Sequence, residues 1–151
     1  MNSNLYKTPE ANLDTSLPSE IKKLYSPNQV ACGTIGGPIG IIYFLASNFS
    51  ALGKEREKQK TLVIGSLFIA LLIGLMPFIP DEMPGSVFTI AYVVIARTIS
   101  VKYQMTKESI INSERHDFYS NWRVFGMGLV CLVVSFVVLM APYLILDLMG
   151  V

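Results

Sequence analysis

The chain has 151 residues, of which 52% are hydrophobic and 15% charged, with a formal net charge of +1. A soluble domain carries about 25% charge, so this composition belongs with membrane proteins, and the net charge excludes a broadly basic nucleic-acid binder. Cys32 and Cys131 each lie inside an apolar run, make no disulfide framework and read as small packing residues.

Met1 to Ser19 are polar, include Pro9 and Pro18, and read as a disordered tail. Glu20 to Tyr25 sets Ile21, Leu24 and Tyr25 on one helical face beside Lys22 and Lys23, which predicts a short interfacial helix. Residues 1–25 thus precede the apolar part of the chain, residues 26–151. The first 29 residues hold no apolar core behind a basic start, so insertion is expected to use the apolar segments themselves.

Ser26-Pro27 is a good helix start, because serine caps free amides and proline loses nothing at the first helical position. The first apolar segment follows, over about residues 27–49. It is unusual for a span, with four glycines and Pro38 between Gly33 and Gly40. The next seven residues, Lys54 to Lys60, are charged and polar and read as a solvated connector; no aromatic residue is there to stack a base. The second segment, about 61–80, contains an uncharged run from Leu62 to Ile79, long enough for a spanning helix. Pro80 to Gly85 is a tight acidic turn that makes segments two and three antiparallel neighbours. The third segment, about 84–101, is interrupted only by Arg97. Lys102 to Arg123 reads as an extension of that helix or an interfacial helix, ending in an aromatic and basic cluster, Phe118 to Arg123. The fourth segment, about 124–148, is the longest, with Pro142 as a kink point and Asp147 at its exit. The fold class is therefore all-α, an integral membrane helical bundle of four hydrophobic segments.

Lysine and arginine stay on the cytoplasmic side of a membrane. Lys54, Arg56, Lys58 and Lys60 follow segment one, and Lys102, Lys107, Arg115 and Arg123 follow segment three. Loops 50–60 and 102–123 are therefore expected to be cytoplasmic, and turn 81–85 and the C-terminus outside. The side of the N-terminus stays open. If segment one crosses fully, Lys7, Lys22 and Lys23 lie outside, against the charge rule. If it enters and returns, every lysine and arginine is at the cytoplasmic side, and Gly36-Gly37-Pro38 is the turning point. Such irregular backbone is tolerated only where protein buries it.

The candidate packing or binding residues are Gly33, Thr34, Gly36, Gly37, Pro38, Gly40 and Arg97. Gly33/Gly37 and Gly36/Gly40 are GxxxG spacings that let another helix approach closely. Pro38 lacks an amide proton, so in a regular helix the Thr34 carbonyl would need another partner. Close packing accounts for this pattern; a broken helix lining an ion or substrate site is the functional alternative. Ser66, Ala70 and Gly74 in segment two, and Gly128, Cys131 and Ser135 in segment four, are small-residue faces suited to receive segment one. Arg97 lies near the cytoplasmic end of its segment, where it can snorkel. His116 has Glu114 and Asp117 beside it, but sequence neighbours diverge and predict a solvated face, not a metal site. No motif for catalysis, cofactor or metal binding is visible.

Leu24 to Val30, Gly33 to Pro38, Asn48-Phe49, Ala51 to Gly53 and Ser120 to Gly126 together resemble a family of short bacterial inner-membrane proteins. The resemblance implies a bacterial inner membrane and carries no activity and no site residue. The function expected from the residues is non-enzymatic: an accessory subunit or scaffold acting by helix contacts with other membrane proteins or with itself, in a lipid bilayer and without nucleic acid. The alternatives are a small transporter or channel subunit, or a membrane immunity protein against a pore-forming toxin.

Overall fold

The computed structural model describes residues 21–80, 82 and 84–150. The tail expected over residues 1–19 lies outside the described residues. The elements in order are β1 (Lys22–Leu24), α1 (Pro27–Gly33), a 3-10 turn (Thr34–Gly36), α2 (Gly37–Ala51), α3 (Glu55–Leu75), a second 3-10 turn (Met76–Phe78), α4 (Ser86–Tyr103), α5 (Lys107–Ile111), β2 (His116–Phe118) and α6 (Asn121–Leu148). Four helical stretches are long and apolar enough to cross a membrane: Pro27–Ala51, Glu55–Phe78, Ser86–Tyr103 and Asn121–Leu148.

The first of these is not a rod. Ser26 caps α1 in a capping box: its hydroxyl accepts from the Gln29 amide, and the Gln29 side chain accepts from the Ser26 amide. The chain then reverses at the 3-10 turn and Gly37, whose φ of 74° favours glycine. α2 runs back alongside α1, and the Tyr25 and Phe44 rings meet edge-on with centroids 4.7 Å apart. The segment is therefore a reversing hairpin and not one straight helix. The arm from Pro27 to Gly36 is ~15 Å long at 1.5 Å per residue, about half of a bilayer's hydrocarbon core.

This hairpin is the core of the molecule. Val30, Phe44, Leu45 and Phe49 are buried within it, and Ala96 of α4 and Val124 of α6 pack against it. α3, α4 and α6 surround the hairpin, and each touches it more than it touches the other two. Burial on these outer helices stops at one level. No residue is buried in α3 after Gly65, in α4 before Tyr92, or in α6 after Ser135.

The two ends of the bundle differ in charge. Lys22, Lys54, Lys102, Lys107 and Arg123 belong to elements that meet at one end, hereafter the basic end. There Lys54 Nζ donates to the Tyr103 carbonyl at 2.7 Å, and the Lys22 amide donates to the Arg115 carbonyl at 3.0 Å. Three corrections to the sequence reading lie at this end. Residues 22–24 form a strand instead of a helix, pairing in parallel with His116–Phe118. Their backbone finds a ready partner in the connector before α6, and a helix of so few residues is marginal alone. The connector Lys54 to Lys60 is the first two turns of α3, supported by Lys58–Glu55 and Lys60–Glu57 pairs at 3.1 and 3.0 Å. In the Lys102 to Arg123 stretch α4 extends only to Tyr103, Thr106 caps the short α5, β2 follows, and α6 already begins at Asn121. α6 runs unbroken through Pro142.

Asn48, 2% exposed, fastens the hairpin shut. Its Oδ1 accepts from the Tyr25 amide at 2.8 Å, and its Nδ2 donates to the Tyr25 carbonyl at 2.8 Å. The same Nδ2 donates to Gln104 Oε1 at 2.8 Å, and Gln104 Nε2 donates to the Leu45 carbonyl at 3.0 Å. The carboxamide thus acts as a strand edge for one residue and joins the hairpin to the end of α4. Asn48→Leu keeps the branching of the side chain and strands two buried backbone groups, so it should destabilise the fold by about 2–4 kcal/mol. Thermal unfolding in detergent measures this; an unchanged midpoint would show that the clasp is not a structural element.

Candidate functional site

The candidate residues converge at the hairpin tip, apart from Arg97. The 3-10 turn lets the Gly37 amide donate to the Thr34 carbonyl. The carbonyl expected to be freed by Pro38 is therefore satisfied locally, and Pro38 sits harmlessly in the first turn of α2. The group that needs outside help is instead the Gly36 carbonyl. Ser135 of α6 supplies it: its Oγ donates to Gly36 O at 2.7 Å and accepts from the Ile39 amide at 3.3 Å. Ser135 stands midway along α6, so the tip lies at mid-depth in the bundle. Thr34, 1% exposed, turns its hydroxyl back to the Ala31 carbonyl at 2.6 Å.

Each glycine has a specific neighbour. A Cβ at Gly33 would lie 2.2 Å from the Phe44 ring, and one at Gly40 would lie 2.5 Å from the Gly33 carbonyl. These two glycines let the arms of the hairpin touch. A Cβ at Gly36 would meet the Gly128 carbonyl at 2.7 Å and Cys131 Cβ at 2.8 Å. Gly36 therefore lets the tip lie against α6, and the small face of α6 does receive it. The small face of α3 does not: Ser66, Ala70 and Gly74 are exposed, and Gly65 takes the hairpin instead, against Ile42. Arg97 is exposed on α4, away from the tip, and forms no ion pair among the described residues.

The tip is a closed joint. Among the described residues, no buried side-chain nitrogen or oxygen lacks a hydrogen-bond partner. No three His, Cys, Asp or Glu side chains among them converge as metal ligands. His116 Nδ1 pairs with the Ser113 hydroxyl at 2.8 Å. What the arrangement does chemically is satisfy backbone that would otherwise be stranded in an apolar interior.

The sequence reading missed the polar residues that fix the hairpin's open end. Gln29 Nε2 donates to the Tyr119 carbonyl and to Asn121 Oδ1, both at 2.8 Å. Arg123 Nε donates to the Tyr25 hydroxyl at 3.3 Å, and its guanidinium lies 4.5 Å from the Tyr119 ring centre. A carboxamide inside an apolar run was the available signal for Asn48, since it has to find partners there. Burial pushes the Tyr25 phenol up to about 12, against a partial pull from Arg123.

Two outcomes are expected. Gly36→Val forces α6 away from the tip and should cost more than Ser135→Ala, which loses about 1–2 kcal/mol with its two hydrogen bonds; unfolding in detergent ranks them, and the reverse order would place the tip elsewhere. The folded state holds the Tyr25 proton more tightly than the unfolded state, where the phenol titrates near 10. Its contribution to stability is complete below pH ~10 and is lost as pH rises toward 12, and Tyr25→Phe should remove that alkaline loss from an unfolding-versus-pH profile.

Comparison with protein families, with curated proteins and with solved structures found no match for this chain.

Proposed function

We propose that this chain is a non-enzymatic protein of a bacterial inner membrane, working as an accessory subunit or scaffold through lateral helix contacts. The basic end is cytoplasmic on this reading, by the distribution of lysine and arginine. The hairpin enters from that side, reaches mid-depth and returns, so both the N-terminus and the connectors after α2 and α4 are cytoplasmic. The turn around Pro84 and the end of α6 face outward.

One observation carries the reading. The outer half of the bundle has no core of its own: beyond the hairpin tip, α3, α4 and α6 bury none of their described residues. Leu67, Leu71, Phe136 and Val137 are all exposed there. The Tyr143 hydroxyl donating to the Ile73 carbonyl is a tie across this half. Ser66, Ala70 and Gly74 lie open on it, and a Cβ at Gly74 meets nothing within 4 Å. Helices associate in lipid by close packing at such small residues. A helix of another membrane protein, seated on this face, completes the bundle.

Transport is the second reading. The N-terminus of a half-helix at mid-depth is how several transporters bind their substrates. Here the exposed carbonyl and amide of that turn are already engaged by Ser135, which weighs against it.

A photocrosslinking residue at position 70, introduced in cells, should give one discrete adduct, and Gly74→Leu should abolish it without lowering the stability of the isolated chain. Reporter fusions at residues 20 and 53 should report the cytoplasm, and one at residue 85 the outside. Solute flux or catalytic turnover by the purified, reconstituted chain would overturn the proposal.

A further inference from the structure

The α1 arm of the hairpin and α6 do not close against each other along their whole length. They leave a groove of about 800 Å³ on the outside of the bundle. Its floor is apolar and small: Cys32, Ile35, Gly128 and Leu132. Its mouth, at the basic end, is polar, with Asn28, Ser120, Asn121 and Lys107. From Asn121 to Leu132 the groove follows α6 for ~16 Å, about half of a bilayer's hydrocarbon thickness. It is one leaflet deep because α1 stops at the tip.

We propose that this groove holds one anionic phospholipid of the cytoplasmic leaflet, with an acyl chain along Cys32, Ile35 and Gly128 and its phosphate at Lys107 and Asn121. The inference rests on the membrane placement above and adds a ligand to it.

Charge complementarity selects the occupant. Among the described residues no carboxylate lines the groove, and Glu108, beside Lys107 on α5, is not part of it. Lys107 forms no ion pair among the described residues. Asn121 spends its carbonyl oxygen on Gln29, which leaves its amide hydrogens to donate. The positive end of the α6 dipole opens at the same place, and the first turn of α6 has no acidic residue. A second groove, of about 390 Å³ between α3 and α4, makes the contrast. Its mouth holds Lys60 and Glu57, already paired with each other at 3.0 Å, so it offers no net charge to a headgroup.

The geometry also supplies a clean block. Gly128 lines the groove, and a Cβ there would meet nothing within 4 Å. The first side-chain atom of Gly128→Leu therefore has open space, and the rest of the leucine is the block. Cys32 is an exposed thiol on the groove floor, whereas Cys131 is buried, so thiol labelling of the native protein reports on the groove.

The experiment uses full-length protein purified in mild detergent and mixed with equimolar phosphatidylglycerol and phosphatidylethanolamine. Native mass spectrometry should show one retained phosphatidylglycerol, and the same lipid should slow maleimide labelling of Cys32. Lys107→Gln should weaken the preference about fivefold, the scale of one basic residue at an anionic surface. Gly128→Leu should expel the lipid and leave the unfolding temperature of the lipid-free protein unchanged. Retention without headgroup preference, or an adduct insensitive to Gly128→Leu with Cys32 unprotected, would overturn the lipid site alone. A protein recovered from cells in the aqueous fraction would overturn the membrane placement and the lipid site together.

Discussion

The pairing of Asn48 with the backbone of Tyr25 is the constraint on which the rest of the structure depends. Two residues separated by 23 positions, the side chain of one bonded to both backbone groups of the other, cannot be the ends of a helical rod, which would hold them ~35 Å apart. The chain between them has to reverse. The glycines and Pro38 are the residues that permit the reversal, and Ser135 settles the polar groups the reversal exposes. The clasp is polar and the tip is polar, while the length between them is packed by Val30, Phe44 and Leu45. A hairpin held at both ends by hydrogen bonds and along its length by rings and aliphatic chains is a rigid wedge.

Burial is inverted with respect to hydropathy as a result. α6 and α3 carry the most apolar windows of the chain, yet almost none of their residues are buried. The segment from Pro27 to Ala51 is less apolar than either and supplies most of the interior. In water this arrangement would leave Val63, Leu67, Phe125 and Phe136 facing solvent. In lipid it is ordinary, because apolar surface gains nothing by being inside and the polar, glycine-rich segment is the one that requires shelter.

Much of this was legible in the sequence. The long apolar runs placed α4 and α6 to within three residues, whereas α3 starts six residues before its apolar run because the charged stretch Glu55 to Lys60 is helical too. The basic connectors anticipated the gathering of Lys54, Lys102 and Arg123 at one end. The glycines marked a special segment, but spacing alone could not separate a spanning helix from a reversing one. That choice is made by Asn48, Gln104, Gln29 and Ser135, whose partners lie far away in the chain. The strand at Lys22–Leu24 was hidden for the same reason, since its pairing partner is His116–Phe118. The small face on α3 was misassigned because Gly65, one position away from it, meets the hairpin at Ile42. Local pattern reports which faces are small; only the register between helices decides which of them is used.

The distance along the chain between the hairpin and its partners has a consequence for biosynthesis. Gln29 waits for Tyr119 and Asn121, Gly36 waits for Ser135, and β1 waits for β2. A ribosome delivers the glycine segment long before any of them. The Asn48 clasp and the Gly37 turn can close as soon as residue 48 is made, but the contacts of the tip and of the open end wait until α6 emerges. The hairpin is thus completed by residues that follow it by some ninety positions, and its last contacts are timed by α6.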